Sequence, residues 1–408
     1  MTFFDELEIR TADQRASDLE KLLPAILLHA RDNTIAYKEI LKEFDLKKFT
    51  SLKSLVELPI TRKSLISEAQ GRAPPFGGYT TGTASSFEHI FQSPGPIYEP
   101  GRTTSDWWRM GRFIHALGIG NSDIVQNCFS YHMTPAGMMF ENGARTVGAT
   151  VFPAGIGQSE LQVRAAADIG VTAYTGTPDF LKVLLDKADD LKLDLSRLTK
   201  AAVGGGALFP SLRQEYFDRG ITCLQSYGTA DLGNIAYETT AMDGMIVDEG
   251  VIVEIVIPGT GIPANVGEVG EVIVTTLNKD YPLIRFATGD MSAVQQGQSP
   301  CGRTNMRIKG WLGRADQTTK IKGMFVRPEQ VADFVGANED VIKARVVADR
   351  IGEKDKMTVM IETLNTDGSA YQSSINSVFK LKGDVIIYSP GALPKDGLVI
   401  EDKRSYQS

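Results

Sequence analysis

A large α/β domain followed by a smaller α+β domain is the architecture this sequence predicts, and three observations carry the prediction. Between residues 123 and 226, short apolar runs alternate with amphipathic helical stretches, the pattern of βαβ units and a largely parallel sheet. After residue 238, strands follow one another without helices between them, which suggests a small antiparallel sheet or barrel. Past Gly313, strands and helices mix again on a compact scale. The expected domains are residues 1–312 and residues 313–408.

Residues 5–44 read as helical, with Leu19, Leu22, Leu23, Ile26 and Leu27 on one apolar face. Residues 51–62 read as a helical turn breaking at Leu58-Pro59, and a Gly- and Thr-rich loop follows at 77–86. Strands are expected at 124–125, 149–152, 171–174, 201–203 and 221–225, with helices at 159–169, 178–187 and 210–218. The second helix opens on Pro178, where the missing N–H costs nothing. In a parallel sheet, ligands sit beyond the carboxyl ends of the strands. The loops at 129–132, 204–206 and 227–229 are therefore expected to face one crevice. Strands at 251–257, 271–276 and 283–286 form the antiparallel part, parted by turns at Pro258-Gly259-Thr260-Gly261 and Gly267-Glu268-Val269-Gly270. The C-terminal part reads as a run at 320–325, helices at 328–334 and 371–381, and strands at 344–347, 357–361 and 385–388.

Composition narrows the function. Hydrophobic residues make up 42% of the 408 and charged residues 23%, values of an ordinary soluble globular chain. A net charge of −7 disfavours nucleic acid as the main partner, because a phosphate backbone rewards a basic face. Cys128, Cys223 and Cys301 are widely spaced with no CxxC pair, which fits a reducing cytoplasm and offers no disulfide framework or zinc site. The N-terminus lacks a signal-peptide pattern and no apolar run reaches membrane-spanning length, so a soluble, cytoplasmic protein is expected.

Three strings carry chemistry. The first, Gly78-Tyr79-Thr80-Thr81-Gly82-Thr83-Ala84-Ser85-Ser86, offers hydroxyls and a glycine suited to wrapping a polyphosphate, yet no Gly-Lys-Ser/Thr closes it as a Walker loop. Its plain alternative is a polar surface loop. The second, Gln225-Ser226-Tyr227-Gly228-Thr229-Ala230-Asp231, places an aromatic ring and a carboxylate after a strand; Tyr227 could stack on a base or simply edge a core. Upstream of it, Gly204-Gly205-Gly206-Ala207 permits close backbone approach to a flat ring, or makes a tight turn. The third, Arg285-Phe286-Ala287-Thr288-Gly289-Asp290 with Gly313-Arg314-Ala315-Asp316 behind it, supplies a carboxylate and a guanidinium fit for ribose hydroxyls, or two turns.

In this order and spacing the strings resemble the motifs of the adenylate-forming enzymes, specifically the phenylacetate–CoA ligase family. The resemblance runs from Leu55-Val56-Glu57-Leu58-Pro59 to Lys403-Arg404. It implies the fold of that superfamily and an AMP-forming acid–thiol ligase, in which a carboxylic acid and ATP give acyl-AMP and pyrophosphate and the coenzyme A thiol then displaces AMP. By the same resemblance Thr80, Thr81, Gly82 and Thr83 hold phosphates. Gly205, Gly206, Ala207, Ser226, Tyr227, Gly228 and Thr229 surround adenine, and Asp290 and Arg314 fix ribose. Asp231 stands where the family carries an acidic Mg2+ ligand, usually glutamate. Asp316 matches the hinge, and Lys320 the loop lining the thiol tunnel, with an alternating solvated strand as the plain alternative for Lys320 and Lys322. Tyr131, His132, Thr134, Ala136, Gly205 and Ala230 fall in the stretches that wall the acid; for His132 the competing reading is an imidazole satisfied by backbone. An aryl or arylacetic acid is the substrate class implied.

The chain departs from the family in places. Ala84 and Ser85 replace a Thr and the second Gly of the phosphate loop, and neither Lys nor Pro follows. At the C-terminus, Leu393-Pro394-Lys395-Asp396-Gly397-Leu398 has leucine where the family's adenylation lysine follows glycine. Lys395 is the candidate substitute and Lys403 the other. Pro300-Cys301-Gly302-Arg303 resembles a segment that often has an additional cysteine, absent here. Two rival readings stand: an adenylate former serving an amine or a carrier-protein thiol, and a nucleotide-binding homologue that has lost catalysis. The expected partners are a small carboxylic acid, ATP, Mg2+ and coenzyme A, with a homodimer left open and neither nucleic acid nor membrane among them.

Overall fold

Thr11 starts the first long helix by reciprocal capping: its hydroxyl accepts from the Gln14 amide while the Gln14 side chain accepts from the Thr11 N–H. That helix, α1 (Ala12–Asn33), buries Leu19, Leu23 and Leu27 on one face. The computed structural model describes residues 2–94, 96–206, 208–257, 260–312, 315, 319–326, 328–351, 354–394 and 399–404. They form two units, one of Met1–Thr288 with Ser292–Gly310, the other of Gly289–Met291 with Trp311–Ser408.

In the first unit α1 is followed by α2 (Ile35–Ile40), β1 (Thr61–Arg62) and α3 (Lys63–Arg72). An antiparallel hairpin, β2 (His89–Ser93) with β3 (Ile97–Gly101), comes next; the sequence reading did not foresee it. The α/β succession then runs through α4 (Gly111–Ala116), β4 (Ile124–Asn127), α5 (Ala136–Thr146), β5 (Thr150–Phe152), α6 (Ser159–Ile169), β6 (Ala173–Gly176), α7 (Pro178–Leu191), β7 (Lys200–Val203), α8 (Pro210–Asp218) and β8 (Thr222–Thr229). The five strands pair in parallel in the order β5-β4-β6-β7-β8. Alternate residues of these strands enter opposite cores, as the pleat requires. Ala173, Ala202 and Leu224 pack with Phe113 and Phe140 of α4 and α5. Tyr174, Ala201, Val203 and Cys223 pack with Leu181, Leu185 and Leu212 of α7 and α8.

The sheet continues through β9 (Gly233–Tyr237), β10 (Met245–Val247), β11 (Val251–Val256), β12 (Val269–Thr276), β13 (Phe286–Gln295) and β14 (Arg307–Ile308), with β8-β9, β9-β10, β10-β14, β13-β14 and β11-β12 antiparallel. The order across it is β11-β12-β13-β14-β10-β9-β8, with β1 added beside β13. Two strand expectations need correcting. β8 does not end at Gln225 but carries the Tyr227-Gly228-Thr229 motif itself, because β9 returns to pair with it. The strand expected at 283–286 begins at Phe286 and runs through Thr288-Gly289-Asp290 to Gln295.

In the second unit β15 (Thr319–Ile321) and β16 (Met324–Val326) form a hairpin closed by Lys322 and Gly323, both at positive φ. Two such residues make the type I′ turn that suits strand twist. Then come α9 (Pro328–Gly336), β17 (Val341–Ile351), β18 (Lys354–Thr363), α10 (Gln372–Phe379), β19 (Asp384–Tyr388) and β20 (Ile400–Asp402). The sheet order is β19-β18-β17-β20, covered by Phe334, Ile375 and Phe379 over Val346, Val359 and Ile361. No helix of the described residues is long and apolar enough to cross a membrane.

Candidate functional site

The carboxyl ends of the parallel strands meet. β7 runs out into Gly204-Gly205-Gly206, and each glycine faces a different neighbour. A Cβ on Gly204 would lie 3.2 Å from Phe140 Cζ and 3.2 Å from Ser226 Oγ on β8. On Gly205, whose φ is +67°, it would lie 3.7 Å from Phe129 Cε1 after β4. On Gly206 it would lie 3.3 Å from Pro178 Cδ after β6. Gly205 and Gly206 are exposed, so backbone rather than side chain faces the opening between these loops. Ala207 lies outside the described residues.

Asn127, fully buried at the end of β4, shapes the loop before α5. Its Nδ2 donates to the Tyr131 hydroxyl and the Gly137 carbonyl, both at 2.7 Å, and its Oδ1 accepts from Thr175 Oγ1 at 3.0 Å. Tyr131 is half-buried, and burial raises its phenol pKa further above the ordinary value. His132 and Met133 are exposed. The backbone N–H of His132 donates to Ser130 Oγ at 3.1 Å, while its imidazole has no hydrogen-bond partner among the described residues. Thr134 and Ala136 are half-buried, and Ala136 opens α5. Asn127 was not foreseen as the organiser of this wall.

On β8, Ser226 is half-buried and Tyr227 is 8% exposed, its hydroxyl donating to Thr288 Oγ1 at 3.1 Å. A bulge between Tyr227 and Gly228 turns the motif, and a Cβ on Gly228 would stand only 2.5 Å from the Gly233 carbonyl oxygen. Thr229 Oγ1 accepts from the Leu232 amide at 3.2 Å, closing the turn that holds Ala230 and Asp231. The Asp231 side chain is wholly buried, with Oδ2 held by Lys63 Nζ at 2.9 Å and Oδ1 left without a partner among the described residues. Glu99 of β3 is also buried; its Oε1 accepts from Ser93 and its Oε2 has no partner among the described residues. Burial and the nearby Asp231 charge push the Glu99 carboxyl up to about 8. Lys63 and Glu99 carried no motif, and only their distant partners reveal them.

The Gly82 loop is braced from within and without. Thr80 Oγ1 donates to the Gly82 carbonyl (2.8 Å) and Ser86 Oγ to the Thr83 carbonyl (2.7 Å), while the Thr83 and Ser85 hydroxyls bond at 3.2 Å. The Thr81 amide donates to the Asp280 carbonyl at 3.0 Å. Arg102, also unforeseen, donates from Nη1 to the Ser86 carbonyl at 3.0 Å and from Nε to Asp280 Oδ2 at 2.9 Å.

Arg285 is spent on structure. Buried and at positive φ, it forks onto Glu254 with two bonds of 3.0 Å and donates to the Leu58 carbonyl at 2.6 Å. In the second unit, Asp290 is 7% exposed and its Oδ1 accepts from the Trp311 indole at 2.9 Å. Lys320 lies half-buried on β15, its carbonyl accepting from Arg404 at 2.9 Å. Lys403 pairs with Glu401 at 3.6 Å. Arg314, Asp316 and Lys395 lie outside the described residues, so the ribose pair, the hinge and the adenylation lysine are not brought together here. Cys301 is buried and accepts from Ser299 Oγ at 3.1 Å. Among the described residues, no group of three His, Cys, Asp or Glu side chains could hold a metal.

A family model described as AMP-binding enzyme matches residues 104–278. The chain is 25% identical over 380 residues to a phenylacetate-coenzyme A ligase of Thermus thermophilus, covering 89% of this chain and 84% of that one. It is 26% identical over 430 residues to the phenylacetate-coenzyme A ligase of Escherichia coli, covering 97% and 95%. Among solved structures, a 2-hydroxyisobutyryl-CoA ligase in complex with 2-HIB-AMP and CoA superposes with a TM-score of 0.82 at 21% identity, covering 98% of this chain and 92% of that one. An amide bond synthetase from Marinactinospora thermotolerans superposes with a TM-score of 0.55 at 16% identity, covering 76% and 66%. These two structural likenesses establish the fold.

Proposed function

We propose that the chain is an adenylate-forming enzyme, an ATP-dependent carboxylate–CoA ligase acting on an aryl or arylacetic acid. The acid's carboxylate attacks the α-phosphorus of ATP, pyrophosphate leaves, and the thiol of coenzyme A then displaces AMP to give the thioester. The named activity of the phenylacetate-coenzyme A ligase relatives supports this reading. Within the molecule, the observation that carries it is the meeting of Phe129, Gly204-Gly205 and Ser226, where β4 and β7 end beside β8. Such a junction of strand ends is where open α/β sheets take their ligands.

In this reading Gly205, Gly206, Ala207 and the Tyr227-Gly228-Thr229 strand border adenine. Tyr131, His132, Thr134, Ala136 and Ala230 wall the acid, and loop 80–86 faces the phosphates. Asp290 and Arg314 hold ribose, Lys395 guides adenylation, and Lys320 serves the thiol step after rotation about Asp316. Asp231 would hold magnesium: Lys63 engages one carboxylate oxygen and leaves the other buried and without a partner among the described residues, a hard ligand for a hard cation. When bound there it would neutralise phosphate charge. Residues 1–312 would be the adenylating domain and residues 313–408 the mobile one. The supply of ATP and coenzyme A, with three buried free cysteines, fits the cytoplasm.

ATP–pyrophosphate exchange with Mg2+, run across aryl and arylacetic acids, tests the proposal. Acid-dependent exchange is expected. No exchange with any acid, while ATP still binds, would overturn the reading and leave a nucleotide-binding homologue without catalysis.

A further inference from the structure

The loop meant for polyphosphate lacks a cation of its own, and no lysine or arginine occurs between Arg72 and Arg102. Its hydroxyls do not repair this. Thr80 and Ser86 spend their protons on carbonyls inside the loop, Thr81 Oγ1 turns to the Asp280 carbonyl at 3.5 Å, and the bond between Thr83 and Ser85 takes one of their two protons. A hydroxyl whose proton is committed cannot also donate to a phosphate oxygen. Backbone amides and one hydroxyl of the Thr83–Ser85 pair, all uncharged, would then face the most highly charged part of the ligand.

We propose that Arg102 is the polyphosphate-binding cation of loop 80–86, folded back from just beyond β3 to replace a lysine the loop does not carry. This rests on the adenylating reading above and assigns a residue within that site. Three features support it. The guanidinium is tied to the loop's end, with Nη1 donating to the Ser86 carbonyl at 3.0 Å. It is oriented by Asp280, which takes Nε at 2.9 Å while its own carbonyl accepts from the Thr81 amide at the loop's start. It also lies over aromatic faces, 4.9 Å from the Phe87 centroid and 5.9 Å from that of Trp107.

So held, the planar fork presents Nη2, which has no hydrogen-bond partner among the described residues, and the side chain keeps 27% of its surface exposed. A guanidinium fixed along two edges and open on the third matches a pair of phosphate oxygens. An arginine that only braced the loop would need no open edge.

The test compares the wild-type protein with Arg102→Gln and Arg102→Lys, titrating ATP, inorganic pyrophosphate and AMP separately by calorimetry with Mg2+ present. Arg102→Gln is expected to weaken ATP and pyrophosphate by about 10-fold or more while AMP changes by less than about twofold. Arg102→Lys keeps the charge but loses the fork, so it should weaken pyrophosphate by only about 3- to 10-fold. Unchanged ATP and pyrophosphate affinities in Arg102→Gln would overturn the proposal, and so would an equal loss for AMP, which marks a bracing role. If Arg102→Gln fails to fold, Arg102→Lys decides: pyrophosphate affinity equal to wild type overturns the proposal. A wild-type protein that binds none of the three ligands overturns the adenylating reading itself, and this assignment with it.

Discussion

At the end of β7 the chain turns through Gly204-Gly205-Gly206 against aromatic rings and a proline, whereas loop 80–86 turns on its own hydroxyls and an arginine from outside it. The first region is set by shape. Phe140, Phe129 and Pro178 stand where glycine Cβ atoms would point, and on the neighbouring strand the Gly233 carbonyl does the same at Gly228. The second is set by polar bonds, with Arg102 and Asp280 gripping its two ends. A shape-held turn should resist changes of volume and tolerate changes of pH and salt. A bond-held loop should behave the other way round. The contrast suits a base that needs a fixed slot and a polyphosphate that needs compensating charge.

The largest expected effect tests the shape-held side. Gly228→Val puts a branched side chain 2.5 Å from a carbonyl oxygen, and should cost about 3 kcal/mol of stability. Thermal unfolding checks it. A stability within about 0.5 kcal/mol of wild type would break the comparison.

Next is Asp231→Asn, on the turn after β8. Lys63 is 36% exposed and can turn to water, so the stability loss should be only about 1 kcal/mol. If Asp231 holds the metal as proposed, pyrophosphate exchange should nonetheless fall by about 10-fold or more. Exchange at the wild-type rate and the same Mg2+ requirement would remove Asp231 from the site.

Glu99 gives a pH test. Its folded-state value of about 8 lies above the ordinary 4.5, with burial the main cause and Asp231 the second. The folded state therefore binds the proton more tightly than the unfolded chain. That contribution is complete below about 4.5 and is lost as pH climbs towards about 8. Glu99→Gln should flatten the decline of stability across this window. An unchanged slope would mean that Glu99 stays ionised on folding. The smallest effect is expected for His132→Ala, whose ring is exposed: stability should hold within about 0.5 kcal/mol, and KM for the acid is the readout. A KM equal to wild type takes His132 out of the acid pocket.

Where order along the chain suffices, the sequence was legible. α6 and α8 span the expected 159–169 and 210–218, since each is a local amphipathic pattern with clear ends: Gly170 in the left-handed cap, Pro210 at the start. β8 and β13 overran their expected bounds because strand length depends on a partner elsewhere, and glycines within Tyr227-Gly228-Thr229 and Thr288-Gly289-Asp290 read as turns. α4 and α5 were missed for a related reason. Gly143 lowers helix propensity, yet it is what lets α5 approach Met110, where a Cβ would stand 2.5 Å from the Met110 side chain. The site divides in the same way. Motif glycines and Asp231 could be named from spacing, but Lys63, Glu99, Arg102 and Asp280 become relevant only through contacts between distant segments.

Product analysis of one reaction tests the central claim most directly. With an arylacetic acid, ATP, Mg2+ and coenzyme A, chromatography with mass detection should find acyl-CoA and AMP in equal amounts, with pyrophosphate and no ADP. Turnover that proceeds equally well without coenzyme A, or that yields ADP, would contradict the account.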